Sequence, residues 1–417
     1  MSLFKQLLPL EQVLISIREH FPGPGPLTME DVNPLEALGR VLARKVVAPH
    51  DLPGFRRATV DGYAVRAADV ARARDGEPVY LKLRGEVVMG QLPGFTLAAG
   101  EAAVIPTGGA VPPGADVVVM LEHTNLYPGE VEILKGAAQG TNIIEANDDV
   151  CQGQMVFAPH MFVRPEHVGF LCAMGVQRIP VKAPLRAVVF STGDEIVPWH
   201  QTLAMGQVRD ANGPMLAAAL TGDGCQATYG GILSDDLEIV KKALKDSVER
   251  ADIILISGGS SVGKGDVTAA AIQSLGPPGV LVHGVAIKPG KPTIIGKSHG
   301  GVPVLGMPGN PVSAQVIYKL IVRSILHRLL TGKDMPPQGT IAAILDRSLK
   351  GPSGRSEYVR VRLEQRADKF YAVPVLGESG LLSTLALADG IIMIPLNVVG
   401  LEAGEVVEVT PLGQGLS

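Results

Sequence analysis

Ile253-Ile254-Leu255-Ile256-Ser257-Gly258-Gly259-Ser260-Ser261-Val262-Gly263-Lys264-Gly265-Asp266 runs from a short apolar stretch straight into a loop of serine and glycine. Four consecutive apolar residues bounded by a turn signal read as a buried strand. A second apolar run, 187–190, leads into Ser191-Thr192-Gly193-Asp194-Glu195. Between the two, the pattern predicts a helix near 214–220 and a strand over 227–233. Leu237, Val240, Leu244 and Val248 then recur at helical spacing behind Ser234-Asp235-Asp236, which can cap that helix. Asn310-Pro311 opens a last helix, with Asn at the N-cap and Pro at the first helical position. Strands alternating with helices predict a doubly wound, parallel α/β sheet over about 184–330, with its ligand outside the carboxyl ends of the strands.

Outward from this centre the pattern changes. A chain of 417 residues exceeds what one core fills, so about two to four domains are expected. Residues 1–50 read as an amphipathic helix, a turn at Pro22-Gly23-Pro24-Gly25-Pro26 and a second helix over 34–43, grouped with 142–183 as an elongated α/β domain. Residues 51–141, with short β-branched runs between glycines and prolines, read as a small β-rich insertion. Strand patterning returns in 331–417, at 358–363, 370–375, 391–395 and 405–410, as a small barrel or sandwich.

Composition narrows the function. Aromatic residues are only 4% of the chain, which leaves few platforms on which bases could stack, and the net charge of −4 comes without a basic run. Both argue against a nucleic-acid partner. Cys151, Cys172 and Cys225 show no metal or disulfide spacing, which suits a reducing, cytoplasmic setting. The most apolar late stretch, 312–330, is broken by Lys319, Arg323, His327 and Arg328, so no membrane span is expected.

Several segments could carry chemistry. The loop from Ser257 to Asp266 lacks both the Walker A and the dinucleotide order. It is either a glycine cradle whose N–H groups converge on an anion or a plain strand-to-helix turn. Lys288-Pro289-Gly290-Lys291-Pro292 offers two ammonium groups on a rigid turn, able to hold phosphate or a tetrahedral oxyanion, or simply solvated. Carboxylates recur beside turn glycines at Asp61, Asp194, Glu195 and Asp266, and Asp236 stands at a helix start. Hard cations such as Mg²⁺ favour one or two such oxygens plus substrate phosphate. Asp236 is equally a helix cap.

These segments together resemble the molybdopterin molybdenumtransferases, known in fused form as the E domain of gephyrin. The resemblance rests on Leu52-Pro53-Gly54-Phe55 with Asp61-Gly62-Tyr63-Ala64, on Pro106-Thr107-Gly108, on the serine-glycine loop and the lysine turn. It continues through Pro308-Gly309-Asn310-Pro311, Gly354-Arg355-Ser356-Glu357-Tyr358 and Ser379-Gly380-Leu381-Leu382-Ser383, and so spans nearly the whole chain. It implies an elongated homodimer whose cleft lies between the doubly wound domain of one chain and the small β domain of the other. It further implies Mg²⁺-dependent insertion of molybdate into adenylylated molybdopterin, supplied by a molybdopterin adenylyltransferase, with release of AMP. On this resemblance Ser257, Gly258, Gly259, Ser260, Ser261 and Gly263 cradle the pyrophosphate, and Asp236 and Asp266 hold Mg²⁺. Lys288, Lys291, Arg355, Ser379 and Ser383 face molybdate; Asp61, Thr107, Asp149 and Glu195 line the cleft. Two departures stand out. Ile144-Glu145-Ala146-Asn147-Asp148-Asp149 lacks the family's basic residues, and Glu378 puts a carboxylate beside Ser379. A tungstate-preferring paralogue and a non-catalytic scaffold remain alternatives.

Overall fold

The computed structural model describes residues 7–24, 28–258, 265–351 and 354–413, without the side chains of residues 265 and 266. Ile253–Ser257 is a fully buried strand at the middle of a six-stranded sheet. The spatial order is Gln226–Leu233, Arg186–Thr192, Ile253–Ser257, Pro303–Met307, Ile294–Lys297, Gly279–His283. The first four run parallel, and Ile294–Lys297 runs against its neighbours on either side. The sheet is thus mixed where the sequence predicted a parallel one, because the short connections around Ile294–Lys297 leave no room for a crossover helix.

Alternation along the strands makes the sheet doubly wound. Ile253 and Leu255 pack with Leu216 and Leu220 of the helix Asn212–Gly222 and with Ile317 and Ile321. Ile254 and Ile256 point the other way, toward Val240 and Leu244 of the helix Leu237–Val248 and toward Ala271 and Ile272. Neighbouring residues on a strand face opposite sides, so a continuous run of apolar residues feeds two cores at once. Each such isoleucine contributes about 1.5–3 kcal/mol on burial. The N-terminal helix Leu10–His20 adds Val13 and Ile17 to the first of these cores.

Around this centre, Met29–Val32 pairs with Ile179–Lys182, and Val46–Val47 with Met155–Phe157. The expected helix over 34–43 is absent: Asn33 and Glu36 exchange the hydrogen bonds of a helix start, then Gly39 takes φ +73°. Val41 and Leu42 bridge to Phe162 and Val181 instead. A second six-stranded sheet spans Gly62–Val65 to Glu130–Ile133. In the C-terminal region Ser356–Arg366 pairs with Lys369–Pro374 on one side and Gly390–Ile394 on the other. Ile341–Leu345 and Val406–Pro411 complete the ring, so this unit is a barrel. Ile287–Lys288 joins it as an extra strand beside Ser356 and Glu357. Among the described residues, no helix is long and apolar enough to cross a membrane.

Candidate active site

The order of the central sheet reverses between Arg186–Thr192 and Ile253–Ser257, and a cavity of about 540 Å³ opens over their carboxyl ends. This is where a doubly wound sheet binds its ligand. Ser191, Thr192, Ser257 and Gly258 form its floor. Gly258 holds φ +103°, and a Cβ there would lie 2.2 Å from the Thr192 carbonyl oxygen, so only glycine lets the two strand ends approach this closely. Asn212 donates from Nδ2 to Ser257 Oγ (2.8 Å) and to the Gly309 carbonyl (2.7 Å). Ser191 Oγ, Thr192 Oγ1 and Asn212 Oδ1 are buried with no hydrogen-bond partner among the described residues. Buried polar atoms are nearly always satisfied, so three orphans around one cavity mark the place of a polar ligand.

The cavity's electrostatics are negative. Glu195, Asp210 and Asp235 line it against Arg209. Asp210 is buried; its Oδ2 accepts from Tyr229 Oη at 2.6 Å and its Oδ1 from the Gly213 N–H at 3.1 Å. Burial first, then the bond to Asp210, raises the Tyr229 pKa. A polyanionic ligand entering this chamber needs a counter-cation. Among the described residues no group of three or more His, Cys, Asp or Glu forms a metal cage. Hard carboxylate oxygens without a full cage suit Mg²⁺, which takes one or two of them and completes its shell with water and phosphate oxygens.

A second cavity, of about 670 Å³, adjoins the first and shares Pro292, Asn310 and Ser313 with it. Its charge is opposite. Lys288, Lys291, Lys350, Arg355 and Arg360 line it against Glu357 and Glu378. Lys288 Nζ lies 2.8 Å from Glu357 Oε1. Arg360 is buried, and its Nη2 donates to the carbonyls of Gly377 (2.8 Å) and Val375 (3.3 Å), tethering the segment that carries Ser379. Burial lowers its pKa, with Glu357 acting against that shift. The cationic excess outweighs the exposed Glu378, so the pocket suits a dianion despite that departure. Asn310 joins the walls: its Nδ2 donates to Ser379 Oγ at 2.8 Å. It occupies the N-cap position of Pro311–Ile317, as the sequence predicted, yet its side chain does not cap. The Ser379 carbonyl serves instead, accepting from the Val312 N–H at 3.2 Å.

The structure therefore gathers Ser257, Gly258 and Glu195 in one chamber and Lys288, Lys291, Arg355 and Ser379 in the next. Others lie elsewhere. Ser383 is exposed on the helix Leu382–Ala386 and lines neither chamber. Asp236 also lines neither; its Oδ1 accepts from the N–H groups of Glu238 (2.8 Å) and Ile239 (3.1 Å) as a helix cap. Asp61 and Thr107 meet on the small β domain, where Asp61 Oδ1 accepts from the Thr107 N–H (2.7 Å) and Oγ1 (2.9 Å). Those two bonds lower the Asp61 pKa. Neither this pair nor the exposed Asp149 lines a chamber. Gly259, Ser260, Ser261, Gly263 and the Asp266 side chain lie outside the described residues. The sequence does not single out Asp210, Asn212 or Arg360, and it marks Asn310 as a helix cap within a family motif and not as a wall of the site. The polar run Arg209-Asp210-Ala211-Asn212-Gly213-Pro214 just before a helix was the available signal for the first two.

Comparison with known proteins gives the class. Residues 188–328 match a probable molybdopterin binding domain, 8–175 the MoeA N-terminal region (domain I and II), and 342–412 the MoeA C-terminal region (domain IV). A putative molybdopterin biosynthesis protein of Methanocaldococcus jannaschii is 32% identical over 98% of this chain and 99% of its own. Molybdopterin molybdenumtransferase 2 of Mycobacterium tuberculosis is 34% identical over 90% of this chain and 93% of its own. A crystal structure of a molybdopterin biosynthesis protein from Pyrococcus horikosii superposes with TM-score 0.79 at 37% identity, covering 98% of this chain and 99% of that one. The chain belongs to the molybdopterin molybdenumtransferase family, and with it to the enzymes of molybdenum cofactor biosynthesis.

Proposed function

We propose that the chain inserts molybdate into adenylylated molybdopterin in a Mg²⁺-dependent reaction that releases AMP. The observation that carries this reading is the pair of adjoining chambers of opposite charge with a common wall at Pro292, Asn310 and Ser313. The pyrophosphate of the substrate lies over Ser257 and Gly258, where the unpartnered hydroxyls of Ser191 and Thr192 donate to its oxygens. Glu195 and Asp235, with Asp266 from the resemblance, are the candidate holders of Mg²⁺, while Asp236, which the resemblance also offered, serves as a helix cap outside both chambers. A Mg²⁺ ion held by these carboxylates would supply charge neutralisation for the pyrophosphate and for a departing AMP. Lys291, Arg355 and the Ser379 hydroxyl hold molybdate beside the dithiolene, and Lys288, paired with Glu357, adds a screened charge. Arginine presents several fixed donors to an oxyanion. Asp61, Thr107 and Asp149 stand apart from both chambers within one chain, which favours a homodimer in which a second copy's small β domain closes the cleft.

AMP release from adenylylated molybdopterin with Mg²⁺ tests the reading, with no oxyanion, molybdate or tungstate, for the native chain and Asp266→Ala. Release that needs an oxyanion and Asp266 is expected. Release unaffected by either oxyanion would remove the insertion mechanism, and a stronger response to tungstate would reassign the cargo.

A further inference from the structure

The cations that interrupt the apolar stretch 312–330 do not all find partners. His327 Nδ1 contacts the Lys333 carbonyl, and Arg328 donates to the Phe21 carbonyl and pairs with Asp334. Arg323 differs. It is 1% exposed, its Nε lies 3.1 Å from Asp223 Oδ2, and neither Nη1 nor Nη2 has a hydrogen-bond partner among the described residues. The same Asp223 oxygen accepts from Tyr318 Oη at 2.8 Å. One carboxylate oxygen shared between a phenol and a guanidinium leaves most of the arginine's five donors unspent. An unmet buried donor on a charged group carries a desolvation cost well above that of a neutral one.

Arg323 is one of the residues lining a cavity of about 210 Å³ that shares no lining residue with either chamber of the cleft. Besides Arg323 and Asp223 it is lined by Lys319, Tyr318, Gln315 and Gly413. Lys319 is buried, and its ammonium donates to the Pro411 carbonyl, so the C-terminal barrel's last strand forms one rim. Gln315 Oε1 is buried with no hydrogen-bond partner among the described residues. Turning that amide over would present its N–H₂ group to the cavity, since the two orientations are nearly isosteric. The wall is not regular helix: Tyr318–Val322 forms a π-helical turn between Pro311–Ile317 and Arg323–Thr331, a geometry that recurs at functional sites.

We infer that this cavity binds a small oxyanion, held by the Arg323 fork with Lys319 and Gln315 closing on it. Two cations against one carboxylate leave a net positive charge in the cavity. A metal cation would be repelled, and a neutral molecule would leave the excess positive charge of Arg323 and Lys319 over Asp223 unbalanced. The Arg323 Nη1 and Nη2 edge matches the paired oxygens of a carboxylate, phosphate or sulfate. Occupation would tie the doubly wound domain to the barrel, because Arg323 and Gln315 belong to one and the Pro411–Gly413 rim to the other.

Equilibrium dialysis and thermal melting of the full chain, at ionic strength held constant with chloride, decide the matter. Phosphate, sulfate, molybdate and acetate serve as probes. An Arg355→Ala background weakens oxyanion binding in the cleft, and Ala219→Leu fills the new cavity without touching a charge. We expect one equivalent of oxyanion to remain bound in the Arg355→Ala chain. Affinity should fall at least about tenfold when Ala219→Leu or Arg323→Gln is added. The native melting temperature should rise with the preferred oxyanion, and that rise should vanish in Ala219→Leu. The ranking of probes tells a carboxylate ligand from a tetrahedral one. Binding that survives Ala219→Leu unchanged would place the anion elsewhere. No retained equivalent with any probe would mean that the cavity holds only water. Should Arg323→Gln fail to fold, Ala219→Leu alone still decides.

Discussion

Replacing Gly258 with alanine probes the close approach on which the first chamber depends. A Cβ at this position would lie 2.2 Å from the Thr192 carbonyl oxygen, whereas ordinary contact begins at 3.4 Å, so the chain must retreat by about 1.2 Å. The residue also holds φ +103°, where an L side chain is strained by roughly 1–3 kcal/mol. A melting temperature lower by a few degrees follows from the strain, at ~2–4 °C per kcal/mol for a domain of this size. Displacing a substrate-binding loop by roughly 1 Å costs on the order of a hundredfold in rate. The assay is kcat/KM for AMP release beside thermal melting. Gly129→Ala is the control: it has φ +81° and nothing within 4 Å, in a hairpin of the small β domain. It should lose comparable stability and keep native activity. If Gly258→Ala melts like Gly129→Ala and also retains native kcat/KM, the close approach does not shape the chamber and the reasoning fails.

Glu357→Gln removes the carboxylate beside Lys288 and should lower the KM for molybdate. Because Lys288 is half exposed, solvent screening limits the effect to about fivefold, fading at high salt; a raised KM would show that Glu357 serves to position the lysine. Thr107→Val removes one of the two bonds that hold the Asp61 carboxyl below its ordinary 3.8, so Asp61 should titrate at higher pH by NMR. A depressed folded pKa stabilises the fold above the unfolded value and that contribution is lost as pH falls through the folded one, so acid loss should begin at higher pH in the variant; an unmoved titration refutes this. Asp236→Ala should cost about 1 kcal/mol as a lost helix cap while Asp236→Asn keeps most of it. Both should release AMP normally at saturating Mg²⁺, and a raised Mg²⁺ requirement common to the two would make Asp236 a metal ligand.

Much of the central domain was legible because its signals are local. Four apolar residues before a glycine loop identify Ile253–Ser257, and the spacing of Val240 and Leu244 identifies a helix; both need only near neighbours. The failed helix at 34–43 began with a proper start at Asn33 and Glu36, but bridges to Phe162 and Val181 overrode it, and such distant partners leave no local mark. The reversed strand Ile294–Lys297 was invisible for a related reason: strand direction is a property of connections, not of composition. In the site, lysines and glycines on turns announced themselves. Asn310 looked like an ordinary cap, and its contact with Ser379 joins residues 69 positions apart. The π-helical turn inside 311–331 likewise has no distinctive periodicity over so few residues.

Asn310 has a face in each chamber, and that places two demands on one position. A replacement that widens the cationic chamber also reshapes the wall of the acidic one, and it loosens the hydroxyl of Ser379 in the same stroke. Cargo preference therefore has to be tuned from the far walls, at residues such as Ser348 and Lys350 that only one chamber touches. Anyone re-engineering this chain for a different oxyanion should begin there and treat the partition between the chambers as fixed.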